Sequence, residues 1–172
     1  MTCRRGFLIM LSAGLVGGLG GCGYRLAGTR SLPAEIKRVS LQGTELSGPM
    51  VHAFRAELGR SSAQWVDQTA DADVVVVVED YSLDRRAMVI GPGGAVEEYE
   101  IRAELAAHFR YPQQANQEPQ RGERFYLNDA QSVDYDRDAV LASSSNQAEI
   151  ERAVAERIGR LLFYRLYSAT PA

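Results

Sequence analysis

The spacing of hydrophobic residues changes along the chain and predicts both helices and strands. Alternation over residues 35–42 predicts a first strand. Ser47-Gly48-Pro49 then combines a small capping residue with an early proline, and predicts a helix over 49–58 that Gly59 ends. The apolar residues of this helix recur at helical spacing: Met50, Val51, Phe54 and Leu58.

The centre of the chain predicts two strands joined by a glycine-rich turn. Five consecutive valines at 74–78 disfavour a helix and predict a strand covered on both faces. After the turn at 91–94, residues 98–110 alternate strictly and predict a long strand with one buried face and one wet face. Its apolar face holds Tyr99, Ile101, Ala103, Leu105, Ala107 and Phe109. Its polar face holds Glu98, Glu100, Arg102, Glu104, His108 and Arg110.

The last third predicts a fourth strand and a second helix. Residues 124–135 resume the strand pattern, although Asp129 and Gln131 interrupt the apolar face and suggest a bulge. Asn146 and Glu149 have capping-box spacing and predict a helix start that runs to about Ser168. One apolar stripe follows this helix: Ile150, Val154, Ile158, Leu161, Leu162 and Leu166.

This order of elements predicts an α+β fold, an α/β two-layer sandwich in the order β-α-β-β-β-α. The first two strands are joined by a helical crossover and are expected to be parallel, whereas the turn-linked strands are expected to be antiparallel. About four strands would form a mixed sheet, with both helices on one face. The other face would stay polar, which favours a docking module.

Residues 1–21 have the features of an export signal rather than of a folded element. Arg4 and Arg5 precede an apolar run at 7–16, which is shorter than the roughly 20 residues that span a bilayer, and small residues follow. Arg4-Arg5-Gly6-Phe7-Leu8 also resembles a twin-arginine signal, so two export routes stay open.

Cys22 ends this segment, and Leu19-Gly20-Gly21-Cys22 resembles the lipobox of bacterial lipoproteins. A glycine-rich turn with an incidental cysteine is the alternative. We therefore expect a signal peptide at 1–21, a lipidated tether at 22–34, one domain at 35–168 and a short tail at 169–172. Two or more acyl chains on Cys22 would give a stable membrane anchor.

Composition narrows the classes of function. The chain has 22 acidic and 19 basic residues and a net charge of −3, and losing Arg4 and Arg5 would make it more acidic still. Such a chain is a poor general binder of nucleic acid. With Cys3 in the signal and Cys22 lipidated, no cysteine is left for a disulfide, a metal or a nucleophile. His52 and His108 lack ligand-spaced partners, so we expect neither metal nor cofactor nor catalytic set.

Several motifs together resemble the LptE family of lipopolysaccharide-assembly outer-membrane lipoproteins. Cys22-Gly23-Tyr24-Arg25-Leu26, directly after the lipobox, is the sharpest. The long strand with Glu98-Tyr99-Glu100 resembles the central strand of the family, and Tyr135-Asp136 with Val140-Leu141-Ala142 resembles its C-terminal part. The resemblance covers essentially the whole chain after residue 21.

The resemblance implies a non-catalytic lipoprotein that plugs an LptD-type β-barrel and assists lipopolysaccharide insertion into the outer leaflet. Gly23 after Cys22 is not Asp, which implies transfer to the outer membrane, facing the periplasm or inside the barrel lumen. The alternative is an accessory periplasmic lipoprotein of another lipid-transport complex.

Arginines are the candidate ligand-binding residues, because lipopolysaccharide carries phosphates. Arg85 and Arg86 approach the glycine-rich turn, and Arg152 lies near the start of the last helix. All three could equally be solvated surface charges. The turn itself, Gly91-Pro92-Gly93-Gly94, has no basic residue, which is a departure from the family.

Overall fold

The computed structural model describes residues 32–44, 46–112, 120–136 and 140–169, with the side chains of 140–142 left undescribed. The expected signal peptide, Cys22 and most of the expected tether lie outside these residues. Leu32 is described and is buried in the core, so the folded domain begins before residue 35. Within the described part, no helix is long and apolar enough to cross a membrane.

The N-terminal half contains two short strands and a helix. Strand β1 (Arg38–Gln42) leads into helix α1 (Gly48–Arg60), and the two-residue strand β2 (Gln64–Trp65) follows. The predicted helix is confirmed and is slightly longer than expected, with Pro49 in its first turn. A 3-10 turn (Thr69–Asp71) then precedes the long strands.

The middle of the chain forms a hairpin of two long strands. Strand β3 (Val74–Ile90) and strand β4 (Val96–Tyr111) pair antiparallel along most of their length. The turn between them needs positive φ angles at Gly93 (82°) and Gly94 (81°), which glycine adopts without strain. Burial fades along β3: the valine run is mostly buried, whereas every residue from Leu83 to Ile90 is exposed.

The C-terminal part adds two strands and a long helix. The two-residue strand β5 (Gln120–Arg121) and strand β6 (Phe125–Asp134) both pair antiparallel with β4. Helix α2 (Val140–Ala169) completes the domain. The described sheet has six strands in the order β2-β1-β3-β4-β5, with β6 also beside β4.

The predicted topology is confirmed. Strand β1 is parallel to β3 and is joined to it through α1, whereas β3, β4 and β6 are successive antiparallel neighbours. The count of about four was low because β2 and β5, of two residues each, are too short to show a hydrophobic period.

Both helices pack on one face of the sheet. Their buried side chains form one core with the alternate residues of β4 from Ile101 to Phe109, and these confirm the predicted apolar face. The helices also approach each other closely at Gly159, where an added Cβ would lie 2.2 Å from the carbonyl oxygen of Met50. The helix residues of the core are Met50, Phe54, Leu58, Val154, Ile158, Leu162, Phe163 and Leu166.

The predicted start of the last helix was wrong. Helix α2 begins at Val140, so Asn146 and Glu149 lie inside it and do not form a capping box at its start. The hydroxyl of Ser143 accepts from the Asp136 N–H (3.2 Å) and donates to the Asp136 carbonyl (3.0 Å). This contact ties the first turns of the helix to the end of β6, which local propensity alone does not reveal.

The predicted bulge in β6 was also wrong. Residues of β6 pair with β4 in unbroken register through Asp129 and Gln131. Both side chains point toward α2, where Arg157 hydrogen-bonds Asp129 and lies 2.9 Å from the Gln131 amide oxygen. The apolar face of β6 is interrupted at Asp129 and Gln131 because these two side chains bind Arg157 of α2. The observed register shifts lie in β3 instead, at Val78/Asp80 and between Ala87 and Ile90.

Candidate functional site

The candidate arginines lie at the hairpin end of the sheet, but the structure does not bring them into one site. Neighbouring strand residues point to opposite faces, and Arg85 is paired with Ile101 on the helix face, whereas Arg86 is paired with Glu100 on the other. Arg152 is exposed on α2 and, within the described chain, forms no hydrogen bond or ion pair.

Arg85 is held between the sheet and helix α2. Its Nη1 donates to the Gln147 amide oxygen at 2.7 Å, and its guanidinium carbon lies 4.6 Å from the ring centroid of Tyr99. The Tyr99 ring in turn packs edge-on against Tyr135, with centroids 5.6 Å apart. Arg85 is therefore positioned by an aromatic platform, whereas Arg86 extends freely from the opposite face.

The tip of the hairpin is apolar, which the sequence interpretation did not anticipate. Met88, Val89 and Ile90 are 55%, 41% and 65% exposed. The two register shifts within this segment break the regular alternation of its side chains. A continuous apolar run next to a glycine-rich turn was the available signal. Exposed apolar residues clustered in this way are typical of a surface that contacts another molecule or a lipid.

A second charged group lies at the opposite end of the sheet, on the face away from the helices. The Glu79 carboxylate pairs with His108, Arg121 and Arg124. Arg110 lies beside Arg121 on the neighbouring strand. We call these five residues the Glu79 cluster. The sequence interpretation did not find it, because its members come from four segments of the chain.

A bulge positions Glu79 in this cluster. The register shift between Val78 and Asp80 inserts Glu79 as an extra residue, so that Glu79 and Asp80 lie on the same side of β3. The Nδ1 of His108 lies 2.8 Å from Oε1 of Glu79, and Nε of Arg124 lies 2.9 Å from Oε2. Arg121 also hydrogen-bonds this carboxylate.

The cations determine the ionisation of Glu79. Burial raises the pKa of Glu79, but Arg124, His108 and Arg121 lower it, and the net result is a pKa below the ordinary value for glutamate. Glu79 is therefore ionised at neutral pH and acts as an acceptor.

The prediction of a uniformly wet second face was wrong at this end of the sheet. His108 is only 7% exposed, and Val75, Ser40 and Ala106 on the same face are also buried. The polar pattern holds toward the hairpin, where Asp84, Arg86 and Glu104 are exposed. Alternation reports which residues share a face, and it does not report what that face is packed against.

His52 and the single tryptophan lie on α1 and at the edge of the core, respectively. His52 is exposed on α1, and no group of three His, Cys, Asp or Glu in the described ranges could hold a metal ion. Trp65 packs edge-on against Phe54 and lies under the guanidinium of Arg55, and its Nε1 donates to Asp67 at 2.7 Å. These contacts are those of an aromatic residue at the edge of the core.

Comparisons with known proteins agree on one family. A family model described as LptE, Lipopolysaccharide-assembly, matches residues 36–166. The LPS-assembly lipoprotein LptE of Photorhabdus laumondii is 26% identical over 63% of this chain and 66% of its own length. The same-named protein of Pectobacterium atrosepticum is 30% identical over 54% of this chain and 50% of its own length. The chain thus spans half to about two thirds of these curated relatives.

Solved structures show the same fold at low sequence identity. Rare lipoprotein B from Shewanella oneidensis superposes with a TM-score of 0.59 and 19% identity, covering 77% of this chain and 95% of that one. A minor lipoprotein from Acinetobacter baumannii superposes with a TM-score of 0.61 and 17% identity, covering 77% and 92%.

Proposed function

Because the chain belongs to the LptE family, we propose that it is a lipid-anchored outer-membrane lipoprotein that acts in lipopolysaccharide assembly. The match of the family model over nearly the whole described domain carries this proposal. In it, the protein is a non-catalytic partner of an LptD-type β-barrel, which it plugs and whose assembly it supports. Acyl chains on Cys22 would hold it at the membrane, facing the periplasm or inside the barrel lumen.

The shape of the surface is consistent with a partner-binding role. The hairpin extends beyond the helix-covered core and ends in the apolar Met88, Val89 and Ile90. The outer side of α2 exposes Leu161, Tyr164 and Tyr167. Tyrosine and large aliphatic side chains on a surface favour contact with another protein.

The test of the partner is a pull-down of C-terminally tagged protein from detergent-solubilised membranes, with copurifying proteins identified by mass. The proposal expects a stoichiometric large β-barrel that stays bound in mild detergent. Recovery of an inner-membrane transporter, or of no partner, would contradict it and favour an accessory role in another lipid-transport complex.

We propose further that Arg85, Arg86 and Arg152 contact lipopolysaccharide. Arg85→Glu with Arg86→Glu should weaken lipopolysaccharide binding with little change in thermal stability, since both side chains are exposed. Because the two arginines point to opposite faces, the single variants should differ in how much affinity they lose. Unchanged affinity in the double variant would show that both arginines are solvated surface charges that do not contact lipopolysaccharide.

A further inference from the structure

The Glu79 cluster has more positive charge than its carboxylate can neutralise. Three arginines surround it, and only Arg121 and Arg124 pair with Glu79. Arg110 has a neutral partner, since its Nη2 donates to the Gln42 amide oxygen at 3.0 Å. In the described structure, Asp80 and Glu123, adjacent along the chain, form no ion pair with these arginines. Counted over its own side chains, three arginines against one carboxylate, the cluster has an excess of two positive charges.

The strand register forces two of these charges together. Arg110 of β4 and Arg121 of β5 are direct cross-strand partners on the same face of the sheet. Like charges directly opposite each other destabilise a strand pair. Such an arrangement is expected where an anion is bound between the two side chains.

Donor groups remain free for such an anion. The Nε of Arg110 is buried and has no hydrogen-bond partner in the described structure. The side chains of Arg121 and Arg124 are 66% and 47% exposed, so solvent reaches them although both touch Glu79. The Arg124 guanidinium also lies 5.0 Å from the ring centroid of Tyr126, which is itself exposed.

We propose that Arg110, Arg121 and Arg124 form a binding site for a terminal phosphate group, either a phosphate monoester or inorganic phosphate. A phosphate monoester carries about −1.5 to −2 charges at pH 7, which matches the excess of the cluster. Arginine forks bind phosphate oxygens in paired hydrogen bonds. The group comes either from a lipid headgroup or from phosphate free in solution.

This site is separate from the candidate arginines at the hairpin. Residues 79 and 86 of β3 are roughly 20 Å apart at the usual rise of a strand. The site goes beyond the proposed function and does not depend on it, because the barrel pull-down can succeed or fail whether or not phosphate binds here.

The test titrates the full lipidated chain, in a detergent without phosphorus, and follows binding by phosphorus NMR and calorimetry. The probes are inorganic phosphate and monomeric dihexanoyl phosphatidic acid, with dihexanoyl phosphatidylcholine as the zwitterionic control. Comparable binding of both phosphates assigns free phosphate as the ligand, and clearly tighter binding of phosphatidic acid assigns a lipid headgroup. Binding of neither, or equal binding of phosphatidylcholine, overturns the proposal.

Paired variants locate the binding. Arg121→Gln with Arg124→Gln should weaken phosphate binding by about tenfold or more, because two charge-assisted contacts are lost. The matched control, Arg60→Gln with Arg160→Gln, removes the same charge from exposed sites on the two helices, which cover the other face of the sheet, and should stay within about twofold of the parent. An equal loss in both pairs would indicate diffuse attraction and would overturn the site.

A second variant is expected to raise phosphate affinity rather than lower it, and it serves as the test if the Arg121→Gln, Arg124→Gln protein does not fold. Glu79→Gln removes the competing carboxylate while retaining an amide acceptor for the arginines. It should bind phosphate several-fold more tightly than the parent, since the excess positive charge increases. Unchanged or weaker binding in folded Glu79→Gln protein would overturn the proposal.

Discussion

At the scale of single residues, Asp73 joins the first strand to the start of the long hairpin. Its carboxylate accepts from the backbone N–H groups of Lys37 (3.0 Å) and Arg38 (2.8 Å), and from the Arg38 guanidinium (2.9 Å). Burial raises the pKa of Asp73, but these hydrogen bonds and the Arg38 charge outweigh it, so the pKa is below the ordinary 3.8.

Asp73→Ala should therefore lower the free energy of unfolding by about 1–2 kcal/mol at pH 7, a figure reduced because Arg38 is half exposed. A lowered folded-state pKa stabilises the fold above the unfolded-state pKa, and this stabilisation is lost as pH falls through the folded-state value. The difference between variant and parent, measured by urea denaturation, should thus shrink as the pH falls below the ordinary aspartate pKa of 3.8. Asp84→Asn, at an exposed site of β3, is the control and should change little.

Arg157 of α2 binds the two polar side chains, Asp129 and Gln131, that lie between the sheet and this helix. Arg157→Met leaves the Asp129 carboxylate without its partner and should cost about 2 kcal/mol. Arg160→Met is the matched control, since Arg160 pairs with Glu156 at 3.8 Å on the helix surface and should cost less than about 0.5 kcal/mol.

A double variant separates charge pairing from packing at the same place. Arg157→Met combined with Asp129→Leu removes both charges and should recover most of the loss in thermal unfolding experiments. If the double variant is as unstable as Arg157→Met alone, the cost comes from packing of the arginine stem instead.

At the scale of elements, the contact between the two helices depends on one glycine. Gly159→Ala would place a methyl group 2.2 Å from the Met50 carbonyl oxygen and 3.0 Å from the Ala53 Cβ. Because the obstacle is helix backbone, the helices must separate, and we expect a loss of about 2–3 kcal/mol.

Gly59→Ala is the matched control for this prediction. Gly59 also lies in a helix, α1, but nothing comes within 4 Å of an added Cβ. It should stabilise by up to about 1 kcal/mol, because alanine is the better helix former. Equal effects of the two substitutions on the denaturation midpoint would refute the close helix–helix contact.

At the scale of the whole molecule, one sheet joins the two ends that we propose to bind other molecules. The hairpin end carries the apolar tip and Arg85, and the other end carries the Glu79 cluster. The lipid anchor expected on Cys22 lies outside the described residues.

Cys22→Ser tests that anchor. If the lipobox interpretation is right, the variant should lose palmitate labelling and leave the membrane fraction, because the acyl chains supply the stable membrane attachment. Cys3 is the internal control, since it lies in the expected signal and Cys3→Ser should keep full labelling. Continued labelling of Cys22→Ser would refute the lipidation site.

Local sequence patterns were enough to predict the fold class, the parallel and antiparallel pairings and the buried face of β4. Each follows from local information: the period of Ile101 to Phe109, the valine run, and the helix between β1 and β3. The family resemblance also followed from motifs read in order, and the comparisons agree with it.

Features that need distant residues to meet could not be predicted from the sequence and are seen in the folded domain. The start of α2 depends on a contact between Ser143 and Asp136, and the polar residues of β6 depend on Arg157. The Glu79 cluster needs a bulge in β3 and side chains from β4, β5 and the start of β6. A periodic pattern records which residues share a face, but the partner of each side chain is set by how strands and helices come together in space.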